Sequence, residues 1–348
     1  MAELWGKTLT RAELLRRTGS GGQLFGIRPF AFTAGPESLL RGFEINTGGG
    51  LVLTVDESKA LDLFQLSWRG VNLGFVSKAG LHAPWLCDEN GMSYRRCLGA
   101  GFLYTAGLSN VGMFCEDGED YHYAHGAVKN VPAEHVCSRE SWQGDECTLS
   151  LEGDVREAAF FGRNLLLHRV ISANVGARSF RIRDTIENQD FSPAQLMLLY
   201  HMNLGYPLLD EGTELLARTR STEPMSEHTR TDRDWRVMNA PSDGNEEYLY
   251  AHTPCADESG IMSAAVFNDR LGFGLEIRYP VRYLRYLIEW KCMKSGDYAL
   301  GLLPSTCKPV GRLRAAREDQ FTTLAPLEKI ELELEIRILE SRRELEQP

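Results

Sequence analysis

The feature that most constrains the fold is an alternation of apolar and charged residues near the C-terminus. Within 329–340, the apolar positions Ile330, Leu332, Leu334, Ile336 and Ile338 are separated by single charged residues. A period of two places all five side chains on one face of a β-strand. The pattern therefore predicts a strand with one buried face and one solvated face, as in an antiparallel sheet.

The same period recurs along most of the chain. Strands are predicted over 51–55, 147–151, 165–172, 180–186, 195–205, 274–279 and 286–293. The one helix indicated is short and N-terminal, with a capping box between Thr10 and Glu13. Because long amphipathic helices are not indicated, the fold class is all-β, with large antiparallel sheets. We expect an N-terminal helix and lead-in segment over 1–40 and a single β domain over 41–340.

Charge and cysteine content narrow the function classes. The 348 residues carry 38 basic and 48 acidic side chains, a net charge of −10. An acidic surface repels phosphate backbones and anionic lipids, so nucleic acid and membrane partners are not expected. No apolar run approaches a membrane span, and the N-terminus does not resemble a secretory signal. The eight cysteines form no CxxC pair, and we expect reduced thiols and a cytoplasmic location.

The segment 196–210 is the most informative part of the chain. On a strand, His201 and Asn203 share one face, while Tyr200 and Met202 lie on the other, wholly apolar or aromatic face. If the first face is concave, it presents a proton-transfer group and a hydrogen-bonding amide to one ligand. The alternative is a half-buried strand whose His201 and Asn203 are satisfied locally.

The segment 120–134 brings two further histidines close together. His122 and His125 lie in an aromatic setting just before Gly126. Histidine titrates nearest neutrality and is a natural general acid or base. An ordinary hydrogen-bonded loop is the alternative. A metal held by this pair with His201 and a carboxylate is a third interpretation.

Three other groups of polar residues are candidates for ligand contact. In 286–293, alternation gives Glu289 and Lys291 a common face, either toward a ligand or in a surface ion pair. Arg95 and Arg96 have guanidinium groups suited to hydroxyl or carboxylate recognition. Asp210 follows the His201 strand in a loop, where function and ordinary turns both occur.

Several stretches resemble the galactose mutarotase-like superfamily, in its branch labelled aldose 1-epimerase family proteins. They are RGFEINTGGGLVLTV (41–55), SKALDL (58–63), RRCLGAGFLYTAGLSNVG (95–112), the pair 125–126 with 132–134, YHMNLGYPLLDEG (200–212) and EWKCMKSGDYALGLLPSTC (289–307). The resemblance implies a β-supersandwich that binds a sugar on a concave sheet. It implies no metal and no organic cofactor.

The resemblance also implies roles for individual residues. His201 is similar to the acid that protonates the ring oxygen, His125 to a second histidine, and Arg96 or Arg95 to an arginine that holds hydroxyl groups. Relatives generally have a glutamate base where this chain has Leu303. An apolar side chain cannot accept a proton, so Glu289 or Asp210 would have to supply the base.

The function expected from these observations is that of a cofactor-independent aldose 1-epimerase-like isomerase acting on a small carbohydrate. His201, His125 and Glu289 are its expected catalytic residues. Its expected substrate-binding residues are Arg96, Arg95, Asn203, Asp210, His122 and Lys291. One alternative is a non-catalytic carbohydrate-binding or sensor protein, and another is a metal-dependent sugar isomerase or lyase. A homodimer is a further expectation, because exposed sheet edges can pair.

Overall fold

Strands make up most of the regular structure. The computed structural model describes residues 2–118, 120–244 and 246–345. The first strands in chain order are β1 (Ala2–Leu4), β2 (Lys7–Leu9), β3 (Gly26–Ala31), β4 (Arg41–Asn46), β5 (Leu51–Asp56), β6 (Asp62–Trp68), β7 (Val71–Asn72), β8 (Phe75–Val76), β9 (Ala100–Gly101), β10 (Leu103–Leu108), β11 (Cys115–Asp117), β12 (Asp120–His122) and β13 (Glu134–Gln143). The remaining strands are β14 (Glu146–Ala158), β15 (Asn164–Asn174), β16 (Ser179–Asn188), β17 (Ala194–Gly205), β18 (Glu214–Ala217), β19 (Thr219–Pro224), β20 (Glu247–Pro254), β21 (Ile261–Asn268), β22 (Phe273–Pro280), β23 (Tyr286–Cys292), β24 (Ala299–Ser305), β25 (Thr322–Leu324) and β26 (Lys329–Leu339).

Helices are short throughout the described residues. The α-helices there are α1 (Arg11–Leu15) and α2 (Arg312–Arg317). Short 3₁₀ helices occupy Gly21–Gln23, Pro84–Leu86, Gly91–Arg96, Val128–Asn130, Thr229–Thr231 and Arg342–Leu345. No helix in the described ranges has the length and apolar character needed to cross a bilayer.

The strands form large antiparallel sheets, which confirms the all-β fold class. A seven-stranded sheet has the order β10-β17-β24-β23-β20-β19, with β25 added beside β17. An eight-stranded sheet has the order β13-β14-β15-β16-β26-β22-β21-β18, and β3 to β7 form a five-stranded sheet. Strand β26 lies in the middle of the eight-stranded sheet, and its alternating residues are buried on one face, as its sequence predicts.

The predicted capping box is present at α1. Thr10 Oγ1 accepts a hydrogen bond from the Glu13 amide, and Glu13 Oε2 accepts one from the Thr10 amide. The lead-in segment also contributes more than a helix. Strand β3 pairs along its length with β4, so residues 26–31 are an integral part of the five-stranded sheet that continues beyond residue 41.

A buried ionic network ties the three sheets together behind the centre of β17. Arg169 of β15 is fully buried and donates to Asp184 of β16 and to Asp62 of β6, at 2.7–2.9 Å. It also donates to Thr105 Oγ1 of β10 at 2.9 Å. The Tyr200 hydroxyl of β17 donates to Asp184 at 2.8 Å. Two carboxylates and one guanidinium can be buried here because each is charge-paired and hydrogen-bonded.

Candidate functional site

The candidate site lies on the face of the seven-stranded sheet that points away from this network. Tyr104 of β10 pairs with His201 of β17, and Ile288 of β23 pairs with Leu303 of β24. Leu199 packs with Tyr104, Ile288 and Leu303 in a small apolar cluster, separate from the main core. Residues paired across antiparallel strands share a face. We call the surface formed by Tyr104, Leu199, His201, Ile288 and Leu303 the histidine face.

His201 is enclosed by aromatic rings at the centre of this face. Its ring stacks on Tyr104, with centroids 4.3 Å apart and planes 18° apart. The rings of His125 and Trp290 approach it edge-on at 6.0 and 5.8 Å. His201 is only 8% exposed, and its Nδ1 has no hydrogen-bond partner in the described part of the chain.

His125 reaches the histidine face from the loop after β12. Its backbone φ of +58° is uncommon for a residue other than glycine or asparagine. The His125 amide donates to the Gly112 carbonyl, and the His125 carbonyl accepts from the Gly107 amide, at 2.8 and 3.0 Å. A Cβ at Gly126 would lie 1.7 Å from the Gly107 oxygen, so only glycine fits there. The loop is therefore held tightly against β10.

Burial keeps both imidazoles uncharged near neutral pH. Desolvation lowers the pKa of His201 well below its usual value, and the nearby His125 lowers it further. Desolvation, with a smaller effect of Lys129, lowers the pKa of His125 to about 4. Each ring therefore carries a single proton, and Nδ1 of His125 also has no partner among the described residues.

Asn203 lies on the same side of β17, but most of its amide is already used. Its Nδ2 donates to the carbonyls of Gly101 and His201, both at 3.1 Å. Its Oδ1 is buried and has no partner in the chain as described. The side chain can therefore offer a ligand one acceptor, because its Nδ2 already donates to two carbonyls within the chain.

Glu289 and Lys291 lie on the opposite face, which corrects the prediction that they point toward the ligand. Glu289 pairs in register with Leu302, and Leu302 pairs with Met202, which is on the core side of β17. The strand alternates as predicted, but it is Trp290, between them, that points to His201. Alternation defines which residues share a face, and the covering segments decide which face is buried.

Both side chains are fully buried in polar pairs on that opposite face. Glu289 Oε2 lies 2.9 Å from His252 Nε2, and Lys291 donates to both carboxylate oxygens of Asp232 at 2.8 and 2.9 Å. Burial raises the pKa of Glu289 well above its usual value. Burial lowers the pKa of His252 to about 4. A protonated Glu289 donating to a neutral His252 accounts for both shifts.

Asp210 and His122 also have partners away from the histidine face. Asp210 Oδ2 accepts from Arg270 at 2.9 Å in an exposed ion pair between loops. His122 Nδ1 lies 3.4 Å from Arg163 Nη1. Burial, then the charge of Arg163, lowers the pKa of His122 to about 4. Both residues thus have local partners, and their contact with a ligand stays a prediction.

Arg95 and Arg96 are exposed at the end of the 3₁₀ helix Gly91–Arg96. The following Leu98 packs against the apolar cluster of the histidine face. The helix thus borders the site, and contact of its two arginines with a ligand stays a prediction.

The four side chains suggested for a metal are not brought together, since Glu289 is on the other face. Within the described ranges, no three histidine, cysteine, aspartate or glutamate residues are grouped as metal ligands. At the position expected to carry a carboxylate, Leu303 lies on the histidine face and is 2% exposed. The β17–β24 register places it opposite His201.

Sequence reasoning missed the two aromatic side chains that frame His201. Tyr104 lies within the stretch 95–112, and Trp290 lies between Glu289 and Lys291, the two residues predicted to contact a ligand. The available signal was register. Trp290 has the opposite parity to Glu289, so one of the two had to face the histidines.

Comparisons with known proteins agree with this architecture. The family model described as "Domain of unknown function (DUF4432)" matches residues 39–338. A search of curated proteins finds no significant match.

Among solved structures, a candidate aldose 1-epimerase from Klebsiella pneumoniae is similar, with a TM-score of 0.85 and 21% identity over 92% of this chain and 85% of that one. A galactose mutarotase-like protein from Clostridium acetobutylicum has a TM-score of 0.62 and 14% identity, over 91% and 99% of the two chains. A galactose 1-epimerase from Lactobacillus acidophilus has a TM-score of 0.59 and 13% identity, over 91% and 100%. At these identities the likeness establishes the galactose mutarotase-like fold.

Proposed function

We propose that this chain, which belongs to the DUF4432 family, is a cofactor-independent isomerase that interconverts the anomers of a small aldose. The observation that carries the proposal is the meeting of two uncharged imidazoles, His201 and His125, with ring centroids 6.0 Å apart. Both have an Nδ1 without a partner in the described chain. Mutarotation requires one proton acceptor and one proton donor on either side of the anomeric carbon.

The chemistry needs only proton transfer. One imidazole takes the proton from the anomeric hydroxyl as C1–O1 becomes a carbonyl and the bond from C1 to the ring oxygen breaks. The other imidazole gives its proton to the ring oxygen. Rotation about C1–C2 and closure with the reverse transfers produce the other anomer, with no net change in the protein's protons.

The unpartnered Nδ1 atoms suit this exchange. The hydrogen bond made by one ring nitrogen normally fixes which nitrogen of a histidine carries the proton. No such bond holds Nδ1 of His201 or His125 within the described residues. Each ring can therefore donate in one direction of the reaction and accept in the other.

Trp290 provides the surface for the sugar ring. It is half-buried beside His201, and the apolar face of a pyranose stacks well on an aromatic ring. The indole Nε1 donates to Glu247 at 2.8 Å, which holds the ring in place. The sugar would thus lie across Trp290 with its anomeric end between the two histidines.

The lack of a carboxylate limits the rate. A neutral imidazole with a lowered pKa is a weak base, and its N–H is a much weaker acid than that of an imidazolium, whereas catalysis is most efficient when the pKa lies near the working pH. Since Leu303 occupies the expected position of the base and Glu289 lies on the other face, we expect slower mutarotation than with a glutamate base.

Anomer exchange measured by NMR saturation transfer, with a panel of aldoses and uronic acids, tests the proposal. We expect acceleration with at least one sugar and its loss in His201→Ala, by about 10²-fold or more. The matched control is His135→Ala, because the His135 side chain is 77% exposed and pairs with Asp154 at the surface. No acceleration with any sugar would reject the isomerase.

A sugar-binding protein without turnover is the second candidate, and Leu303 is the observation that favours it. That protein would gain thermal stability with a sugar that it does not interconvert.

The free thiols of the eight cysteines fit a reducing compartment, so a cytoplasmic location is part of the proposal.

A further inference from the structure

Lys129 is a buried cation that the proposed chemistry does not use. It lies in the 3₁₀ helix Val128–Asn130 and is only 5% exposed. Its Nζ donates to Glu89 Oε2 at 2.6 Å and to the carbonyls of Ala124 and Gly126 at 3.0 and 2.5 Å. An ammonium group has three N–H donors and is costly to bury unless they are paired. All three are therefore used within the chain, and the charge is balanced by Glu89.

The two carbonyls that Lys129 binds lie on either side of His125. Ala124 precedes this histidine and Gly126 follows it, so one Nζ atom contacts the backbone on both sides of it. The backbone φ of His125 is +58°, and a residue other than glycine keeps such a conformation only where the surrounding structure enforces it. Lys129 supplies two of the contacts that enforce it.

Glu89 connects this loop to a second segment that borders the site. It lies just before the 3₁₀ helix Gly91–Arg96, and its Oε1 accepts from Asn130 Nδ2. The first amide of that helix donates to the Tyr121 hydroxyl at 2.8 Å. The segment that carries the two candidate arginines is thus joined on both sides to the chain around His125.

We propose that Lys129, with its charge partner Glu89, is a positioning residue that holds the His125 imidazole at the histidine face, where the ring centroid lies 6.0 Å from that of His201. Lys129 has no unused N–H for a sugar, so it acts through the His125 backbone. Its effect on turnover rests on the proposed function, whereas its effect on the loop does not.

Amide hydrogen exchange of the full chain, followed by NMR, tests the position of the loop directly. Lys129→Met keeps a long unbranched side chain and removes all three N–H donors. We expect the amides of His125 and Gly126, which are hydrogen-bonded to backbone carbonyls, to exchange about tenfold faster. The amides of β26 are the internal reference, because a general loss of stability would accelerate both sets.

Glu89→Gln is a milder second variant, which decides the question if Lys129→Met does not fold. The Glu89 side chain is 15% exposed, so loss of its charge is less costly than loss of the buried cation. Glutamine keeps the shape but cannot offer acceptors to both Lys129 and Asn130. We expect the same two loop amides to exchange faster than the reference, by a smaller factor.

Lys291→Met is the matched control. Lys291 is also fully buried, and its Nζ also makes three hydrogen bonds, two to the Asp232 carboxylate and one to the Asp234 carbonyl. It lies on the opposite face of the sheet. Its replacement removes a comparable buried ion pair, and the exchange of the His125 amide relative to β26 should stay unchanged.

The kinetics of anomer exchange test the consequence for turnover. A misplacement of about 1 Å can cost about 10²-fold in rate, so kcat should fall by about tenfold or more in Lys129→Met. KM should change little, because Trp290 is untouched. Lys129→Arg keeps the cation and its N–H donors and should restore most of kcat.

The outcomes separate this inference from the proposed function. Unchanged relative exchange of the loop amides in Lys129→Met and Glu89→Gln would overturn the positioning role and leave the isomerase intact. An equal effect of Lys291→Met, or faster loop exchange with an unchanged kcat, would also overturn it. If the wild type interconverts no sugar, the isomerase fails, and hydrogen exchange alone decides whether Lys129 positions His125.

Discussion

The two sides of strand β17 differ in whether their buried polar groups have hydrogen-bond partners. On the core side, the Tyr200 hydroxyl joins a network in which Arg169 and Asp184 are fully paired. On the other side, His201 and Asn203 each keep a buried polar atom without a partner among the described residues. The polar groups of this network are satisfied within the chain. The unpaired atoms of His201 and Asn203 are suited to a ligand.

The comparison also separates stability from activity. The core side links β6, β10, β15, β16 and β17 across three sheets through charged hydrogen bonds, whereas the histidine face adds apolar packing and aromatic contacts. Substitutions on the core side should therefore change the free energy of unfolding. Substitutions on the histidine face should change turnover.

The largest effect is expected for Arg169→Ala. The substitution leaves Asp62 and Asp184 buried without their cation, and loss of one member of a buried ion pair typically costs about 3–5 kcal/mol. Urea denaturation followed by circular dichroism measures the change. The control Arg181→Ala, at a residue whose side chain is 55% exposed on the next strand, should cost about 1 kcal/mol or less. Equal losses in the two variants would contradict the role of the network.

The strands were predictable from sequence because alternation is a local signal. The run in β26 and the capping box at Thr10 required no knowledge of distant residues, and both are present. The error at Glu289 and Lys291 has a different origin. Their partners, His252 and Asp232, lie 37 and 59 residues away, and only the folded chain shows that this side of β23 is covered.

The histidine face was partly predictable for the same reason. The shared face of His201 and Asn203 follows from their spacing on one strand. The position of His125 depends on a loop that packs against β10, where only glycine can occupy position 126. The Arg169 network was not anticipated. A single arginine in an alternating strand gives no local sign that two carboxylates from other strands will meet it.

A smaller but more informative effect is expected for Leu303→Glu. It places a carboxylate on the histidine face opposite His201, where the chain now lacks a base. General base catalysis typically contributes about 10²–10⁴-fold, so we expect anomer exchange to accelerate at a cost in melting temperature. Leu303→Gln, of similar size but unable to accept a proton, is the control. If both variants exchange anomers at the same rate, the face does not use a base at this position.

The pH dependence of kcat/KM should show that the two imidazoles stay uncharged at pH values where an ordinary imidazole is protonated. Burial lowers both pKa values, for His125 to about 4, so kcat/KM should stay nearly constant between pH 7 and 5.5. An imidazole of ordinary pKa near 6.5 would be about nine-tenths protonated at pH 5.5. A tenfold fall in kcat/KM over that interval would contradict the lowered pKa values.

The lowered pKa values of the two histidines also determine how the free energy of unfolding changes with pH. The unfolded chain takes up protons on these histidines near pH 6.5, while the folded chain does so only at lower pH. Their contribution to stability is therefore complete above pH 6.5 and is lost as the pH falls toward 4. Urea midpoints of the wild type and of His201→Gln, measured across this interval, should converge as the pH falls.

The smallest effect is expected for Glu289→Gln. Since burial keeps Glu289 protonated, glutamine reproduces its hydrogen bond to His252, and anomer exchange at the opposite face should be unchanged. Glu289→Ala, which leaves the bond to His252 unmade, should lower stability without changing kcat. If Glu289→Gln lost anomer exchange at an unchanged free energy of unfolding, Glu289 would be a catalytic residue after all.

The most direct measurement is a crystal structure with a bound aldose. We predict that the anomeric hydroxyl and the ring oxygen lie within hydrogen-bond distance of His201 and His125, one to each, with the sugar ring stacked on Trp290. A sugar bound with its anomeric carbon away from both imidazoles, or on the Glu289 side of the sheet, would contradict the account.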